Sequence, residues 1–155
     1  MADHRESWTG GCLCGAVRYE ATASPGEDSG YCHCRMCQKA FGNGFSVFVQ
    51  FASESFRLTR GEPVIYKSSN VGERGFCASC GAPVTMRYST LPASVWVFVG
   101  TLDRPGDTLP YLKAHLCVES EIPWLTIHDD LPRRRSEEEE LYAAIGLELD
   151  DDSNR

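Results

Sequence analysis

Residues 10 to 21 read GGCLCGAVRYEA and join a closely spaced pair of cysteines to an alternating segment. In an extended chain, side chains two positions apart point to the same side, so Cys12 and Cys14 can direct two sulfur atoms at one point. The alternation that follows places Val17 and Tyr19 on one face, which predicts a half-buried β-strand. The stretch therefore predicts a metal-binding corner at the start of a β-rich domain.

A C-x-x-C pair formed by Cys77 and Cys80 completes a set of four thiols with the first pair. A turn with this spacing brings both sulfur atoms to one side, and Gly81 directly after it relieves the crowding of a tight turn. Four thiolates close a tetrahedral zinc shell with bonds of about 2.3 Å, as in structural zinc sites. We therefore predict that Cys12, Cys14, Cys77 and Cys80 hold a zinc ion that joins two distant parts of the chain.

A denser cluster, YCHCRMCQKAFG at residues 31 to 42, carries three thiols at Cys32, Cys34 and Cys37. Three thiolates at this spacing can also converge on one zinc ion, but they leave its fourth position open. An open position is the feature that separates catalytic from structural zinc sites. A substrate thiol is a natural fourth ligand, and on zinc it would lose its proton near neutral pH. The cluster therefore predicts a second, catalytic zinc.

Other uses of these residues stay open. The C-x-x-C formed by Cys34 and Cys37 could be a redox motif, although such motifs usually open a helix in a βαβ unit, and no such unit is visible. A nucleophilic cysteine needs a positioned base, and His33 is a candidate by adjacency only, because neighbouring side chains diverge. His115 and Cys117 would share a strand face and could supply a fourth ligand to either zinc. An isolated cysteine is, however, usually a small buried apolar residue, which is the interpretation we prefer for Cys117.

The composition excludes several classes of partner. The chain has 155 residues, enough for one domain, and its 42% hydrophobic and 24% charged residues are ordinary for a soluble globular protein. A net charge of −7 leaves no basic stripe for phosphates, so we expect no nucleic-acid partner. We expect no membrane partner either, because no apolar run approaches the roughly 20 residues of a spanning helix and the N-terminus does not resemble a signal peptide. The expected location is cytoplasmic, where eight cysteines indicate metal binding rather than disulfides.

Several further segments alternate, or are rich in β-branched and aromatic residues, and so predict strands. The predicted strands cover residues 16–21, 45–51, 56–59, 64–67, 83–88, 95–99 and 113–118. The segment VWVFV at 95–99 is continuously apolar, so both of its faces should be buried. One segment, SEEEELYAAIG, predicts a helix capped by Ser136 and Glu139 and stopped by Gly146. The chain is therefore expected to be a mainly β domain with a short peripheral C-terminal helix.

The three cysteine motifs, in their order, resemble the signature of glutathione-dependent formaldehyde-activating enzymes, a family grouped with centromere protein V as the CENP-V/GFA domain. The motifs are GGCLCGAVRYEA, YCHCRMCQKAFG and GFCASCGAPV, and IPWLTIHDDLP is similar to the family's closing segment. The resemblance divides the chain into a flexible N-terminus at 1–9, a CENP-V/GFA-like zinc domain at 10–132, and a short helix with an acidic tail at 133–155.

The resemblance implies a β-tent-like fold of packed antiparallel sheets with two zinc ions per chain. The structural zinc would be held by Cys12, Cys14, Cys77 and Cys80, and the catalytic zinc by Cys32, Cys34 and Cys37. The implied activity is that of a carbon–sulfur lyase that forms S-hydroxymethylglutathione from formaldehyde and glutathione, or acts on a similar small thiol. Arg35 and Lys39 are candidate partners for the glutathione carboxylates. The alternative is a non-catalytic, zinc-stabilised module that binds a thiol or a protein, because the sequence shows no clear general base beside the cluster.

Overall fold

The computed structural model describes residues 7–147. Within this range the strands are Trp8–Gly11 (β1), Arg18–Ala21 (β2), Gly30–Cys32 (β3), Ser46–Ala52 (β4), Phe56–Arg60 (β5), Val64–Lys67 (β6), Gly72–Phe76 (β7), Pro83–Tyr88 (β8), Ser94–Phe98 (β9), Ala114–Leu116 (β10) and Arg133–Arg134 (β11). The α-helices of the same range are Arg35–Phe41 (α1) and Glu140–Ile145 (α2). The mainly β fold is confirmed, and none of the described helices is long and apolar enough to span a membrane.

All seven predicted strands are present. Those predicted at 64–67 and 83–88 have these limits, and the other predicted strands differ from the observed ones by only one or two residues at an end. The sequence did not predict β1, β3, β7, β11 or helix α1. The predicted flexible N-terminus extends into β1, which begins at Trp8, and its remaining part and the acidic tail lie mainly outside the described residues.

The strands form two sheets that pack on each other. The small sheet is antiparallel, with the order β1-β2-β5, and the large sheet has the order β11-β10-β3-β4-β9-β8-β7-β6. Neighbours in the large sheet are antiparallel, except that β10 runs parallel to both β3 and β11. Because β10 is reached through a long irregular segment, it can enter beside β3 in the same direction.

The central strand β9 is buried on both faces, as its apolar sequence predicted. Val95 and Val97 belong to a core that the large sheet shares with Tyr19 of the small sheet. Trp96 and Phe98 belong to a second core on the opposite face. Burial of each of these large side chains contributes roughly 1.5–3 kcal/mol, so the strand holds the two layers together.

The cysteine clusters lie in different cores. Cys12 and Cys77 pack in the first core, between the two sheets. Cys32, Cys34 and Cys37 pack in the second core, together with residues of helix α2. The large sheet therefore separates the two candidate metal centres.

The predicted capping of the C-terminal helix is wrong. Ser136 lies inside a 3₁₀ turn whose capping residue is Arg135, and its amide and hydroxyl both donate to Glu119, so this serine does not occupy the capping position. The first turn is 3₁₀, and Glu138 accepts a hydrogen bond of 2.9 Å from the amide of Arg135. The α-helical part starts only after Glu139.

The predicted end of helix α2 is confirmed, because Gly146 has φ 64 and stops the helix in the left-handed conformation. Leu141 and Ile145 are buried in the second core. Thr90 donates a hydrogen bond of 2.8 Å to the Ile145 carbonyl, and Asn70 donates one of 3.2 Å to the Gly146 carbonyl. The helix is thus held against the large sheet rather than lying loosely at its periphery.

Candidate metal centres

The first cluster brings together the thiols of Cys12, Cys14, Cys77 and Cys80, whose sulfur atoms all lie within 4.8 Å of one another. The Sγ atoms of Cys12 and Cys14 are 3.6 Å apart, and those of Cys14 and Cys77 are 3.7 Å apart. Sulfur atoms at the corners of a tetrahedral zinc site with bonds of about 2.3 Å lie about 3.8 Å apart. The observed spacing therefore fits a four-thiolate zinc site.

Two tight turns build this cluster. The amide of Cys12 donates to the Val17 carbonyl at 3.0 Å, and the amide of Val17 donates to the Cys12 sulfur at 3.2 Å. At the other turn, Gly81 has φ 73 and donates to the Cys77 carbonyl at 2.8 Å, as its position after the second pair predicted. One turn follows β1 of the small sheet and the other joins β7 to β8 of the large sheet. A metal held here would therefore fasten the two sheets together.

A cation would stabilise the negative charges of the first cluster. The Val17 amide is the main reason that the pKa of Cys12 is lowered to about 6. The Ala16 amide lowers the pKa of Cys14, but the neighbouring thiolate of Cys12 overcomes it and raises that pKa to about 11. Each thiolate thus makes the next one harder to form, and a divalent cation removes this conflict.

The second cluster consists of Cys32, Cys34 and Cys37, whose sulfur atoms lie within 4.8 Å of one another. Cys32 ends β3, and Cys34 caps helix α1 by accepting a hydrogen bond of 3.3 Å from the Cys37 amide. All three are buried. The C-x-x-C pair opens helix α1, but β3 and β4 on either side of it pair antiparallel, so there is no βαβ unit here, as expected. Three converging thiols fit three corners of a zinc shell.

Two side chains from other elements contact these thiols. Arg74 of β7 donates to the Cys37 sulfur at 3.7 Å, and the hydroxyl of Tyr142 in α2 lies 3.4 Å from the Cys32 sulfur. Burial raises the pKa of Tyr142 well above its usual value, so the phenol stays protonated and can donate to a thiolate. Both contacts favour negative charge on the sulfur atoms.

Cys117 is buried, as expected, but it lies beside the second cluster. Its side chain packs with those of Cys32 and Cys34 in the second core. It does not share a face with His115, because β10 ends at Leu116 and Cys117 takes a left-handed conformation with φ 57. The backbone change turns the cysteine towards the cluster and leaves His115 elsewhere.

Two histidines form a hydrogen-bonded series that is separate from the thiol clusters. His33 Nε2 lies 2.9 Å from His115 Nδ1, and His115 Nε2 lies 3.0 Å from a carboxylate oxygen of Asp129. The bonds are consistent if His33 donates to His115 and His115 donates to Asp129. Glu121 lies 3.4 Å from the same nitrogen of His33. His33 is therefore buried and hydrogen-bonded within this series, and it is not a free base for the thiols.

A small cavity of about 40 Å³ adjoins Cys32, Cys34 and Cys37. Ser46 lines it, and the buried hydroxyl of this serine has no hydrogen-bond partner among residues 7–147. A space of this size holds a molecule of one or two heavy atoms. The unpartnered hydroxyl makes the cavity suitable for a small polar molecule.

A larger groove of about 460 Å³ reaches the same region from the surface. Lys39, Tyr66 and Phe76 line it, and Met36 and Arg74 line both this groove and the small cavity. The groove therefore leads to the second cluster and combines basic groups with aromatic walls.

The two basic residues suggested by the sequence have different places. Lys39 lines the groove, whereas Arg35 donates a hydrogen bond to Gln38. Sequence reasoning missed Arg74, Tyr142 and Ser46, which lie outside the three cysteine motifs. No motif marks these three residues, because strand pairing and helix docking alone bring them to the site.

Comparison with known proteins places the chain among related sequences and structures. The sequence model of a family described as glutathione-dependent formaldehyde-activating enzyme matches residues 7–119. A Halomonas elongata protein, provisionally named a glutathione-dependent formaldehyde-activating enzyme, is 26% identical over 125 residues, which cover 76% of this chain and 79% of that protein. A crystal structure of a Rhodobacter sphaeroides protein is similar with a TM-score of 0.52 and 25% identity, covering 61% of this chain and 87% of that chain. The family match includes both cysteine clusters and ends before helix α2.

Proposed function

This chain belongs to the family of glutathione-dependent formaldehyde-activating enzymes, and from that membership we propose that it is a zinc-dependent enzyme of the carbon–sulfur lyase type. Its substrates are glutathione or a similar thiol and the adducts of that thiol with formaldehyde or a related aldehyde. The observation that carries the proposal is the convergence of Cys32, Cys34 and Cys37 beside a small cavity and a groove from the surface.

The reaction forms one bond between two small molecules. The sulfur of the thiol attacks the carbonyl carbon of the aldehyde, and a carbon–sulfur bond forms. The electron pair of the carbonyl π bond moves to oxygen, and the proton of the thiol ends on that oxygen. The reverse reaction breaks the carbon–sulfur bond and releases thiol and aldehyde. Neither direction needs an oxidant or a reductant.

The two clusters have different parts in this proposal. Zinc at Cys32, Cys34 and Cys37 would supply the positive charge that keeps a nearby substrate thiol deprotonated near neutral pH. The four thiols of the other cluster leave no place for a substrate, so that cluster has a structural part. Its position between the small and the large sheet supports this assignment.

The groove beside the second cluster suits a peptide thiol with two carboxylates. Lys39 and Arg74 supply positive charge there, and Tyr66 and Phe76 supply flat apolar walls for the peptide chain. The small cavity adjoins the same thiols and suits an aldehyde, whose oxygen could accept a hydrogen bond from Ser46. Thiol and aldehyde would thus approach the cysteines from two sides.

A non-catalytic, zinc-stabilised module that binds a thiol is the second candidate. The observation that favours it is that none of the described residues lining the small cavity is His, Asp or Glu. His33 is the nearest imidazole in sequence, but its Nε2 is held by His115. A binding module needs no proton acceptor, whereas the enzyme must bring the thiol to the aldehyde already deprotonated.

Exchange spectroscopy by NMR separates the two candidates. The rate of interconversion between glutathione with formaldehyde and their adduct is measured with the zinc-loaded protein and without protein, because the reaction also runs spontaneously. Acceleration that saturates with glutathione supports the enzyme. Calorimetric binding of glutathione without acceleration supports the module. Metal analysis that finds only one zinc per folded chain would leave one of the two assigned centres without metal and would count against the enzyme.

A further inference from the structure

Cys117 reaches the second cluster through strand pairing. Leu116, the last residue of β10, pairs with Cys32, the last residue of β3. The amide of His33 then donates to the Leu116 carbonyl at 3.0 Å. Cys117 therefore leaves the sheet directly beside the turn that carries Cys34.

The backbone of Cys117 is strained, and this strained conformation turns its side chain towards the second cluster. Its φ of 57 is the one positive φ among the non-glycine residues of the described range. A side chain with a Cβ adopts this conformation at a cost in conformational energy, and such outliers cluster at functional sites. Here the strained residue is 2% exposed, and its side chain packs with those of Cys32 and Cys34 in the second core.

A buried apolar role for Cys117 does not explain its surroundings. Its side chain lies in the second core with those of three other cysteines, and Tyr142, whose hydroxyl lies 3.4 Å from the Cys32 sulfur, packs against the same core. Three thiols at Cys32, Cys34 and Cys37 leave one corner of a tetrahedral shell unassigned. Cys117 is the further sulfur that adjoins this set.

We infer that Cys117 is the fourth thiolate ligand of the metal centre at Cys32, Cys34 and Cys37 in the protein at rest. The inference rests on the metal-binding part of the proposed function and does not depend on turnover. Four thiolates around a divalent zinc carry two excess negative charges. The half-buried guanidinium of Arg74 offsets one of these charges, and the hydroxyl of Tyr142 can donate to the Cys32 sulfur.

A fourth ligand supplied by the protein would weaken the binding of a substrate thiol to this centre. A tetrahedral shell has four places, so a substrate thiol and Cys117 compete for the same one. The full chain should therefore bind glutathione at this centre more weakly than a Cys117→Ser variant does. If Cys117 occupies the place most of the time, we expect the difference to be about tenfold or more.

X-ray absorption at the zinc edge tests the ligand set directly. The full chain is loaded with zinc and kept reduced with a phosphine, so that no added thiol can bind. We expect about 4 sulfur atoms per zinc, averaged over both centres, and about 3.5 in Cys117→Ser with an oxygen or nitrogen shell at about 2.0–2.1 Å. Val118→Ala, a change at the next residue that keeps all eight thiols, should retain about 4 sulfur atoms per zinc.

The outcomes decide the inference even if Cys117→Ser folds poorly, because the sulfur number of the unaltered chain is informative alone. About 3.5 sulfur atoms per zinc in that chain, or a single zinc per folded chain, overturns it. Cobalt substitution gives a second measurement, since the unaltered chain should show only four-thiolate spectra. A chain with four sulfurs per zinc that fails to accelerate adduct formation keeps the inference and loses the proposed activity. A chain that accelerates adduct formation but has about 3.5 sulfur atoms per zinc keeps the proposed activity and loses the inference.

Discussion

The guanidinium of Arg74 lies 3.7 Å from the thiol of Cys37 and occupies the boundary between the small cavity and the groove. Burial by itself would lower the pKa of Arg74, but the charge of the Cys37 thiolate outweighs it and raises that pKa. The attraction is mutual, so the arginine stabilises the thiolate form that a metal requires. The same side chain is also placed to meet an anionic substrate in the groove.

We expect Arg74→Gln to weaken zinc binding at the second centre by about 10–100-fold, the range found when a group that supports metal ligands is removed. Arg74→Lys keeps the charge but loses the planar fork, so its loss should be smaller. Competition with a chelator of known affinity measures the zinc affinity of both variants. Equal zinc affinity in the two variants and the unaltered chain would show that the contact does not support the metal ligands.

Loss of one thiol should have different effects at the two clusters. Cys80→Ser removes a ligand of the set that fastens the small sheet to the large one, so we expect loss of the folded state. Cys34→Ser removes a ligand of the other set, but serine is a good N-cap and can still accept the hydrogen bond from the Cys37 amide. This variant should stay folded and lose the acceleration of adduct formation.

Circular dichroism during heating, together with the exchange measurement, checks this pair of variants. The two substitutions are matched, because each exchanges one sulfur for one oxygen. Unfolding of Cys34→Ser, or a stable fold in Cys80→Ser, would contradict the division into one structural and one catalytic cluster.

The contrast between Cys77 and Arg74 shows what could be predicted from the sequence. Cys77 and Cys80 were predicted to converge because their spacing alone brings the two sulfur atoms together in a turn, whatever the rest of the fold does. Arg74 is three residues from Cys77, yet its side chain serves the other cluster. That assignment depends on the register of β7 in the large sheet, which no local pattern reveals.

The missed elements have local causes. Strands β1, β3 and β7 contain glycine, which weakens a strand pattern. Helix α1 has seven residues, too few for helical periodicity, and its cap is Cys34, which is not among the usual capping residues. Cys117 was assigned to a strand face, whereas its left-handed conformation turns it towards the cluster.

Ser46→Ala should separate stability from activity. The buried hydroxyl of Ser46 has no partner within the described chain, so its removal should leave the free energy of unfolding unchanged or raise it by up to about 1 kcal/mol. If the hydroxyl binds the aldehyde oxygen, the rate of adduct formation should fall by about tenfold, as expected for one lost hydrogen bond. Thermal unfolding and exchange spectroscopy give the two quantities. An unchanged rate would remove Ser46 from the aldehyde site.

The covering of the second centre by helix α2 predicts two phases of zinc release to a chelator. The first centre includes Cys14, which is exposed, and should release its zinc quickly, whereas the second lies beneath α2 and should release its zinc slowly. Ile145 is 1% exposed, and Ile145→Ala should weaken the docking of the helix by about 2–5 kcal/mol. Because 1.4 kcal/mol changes an equilibrium constant tenfold, only the slow phase should accelerate, by tenfold or more.

Ala144→Ser, at the neighbouring exposed position, should change neither phase. Equal acceleration of both phases would indicate general unfolding, and no acceleration would mean that zinc leaves the second centre by a route that does not require α2 to move.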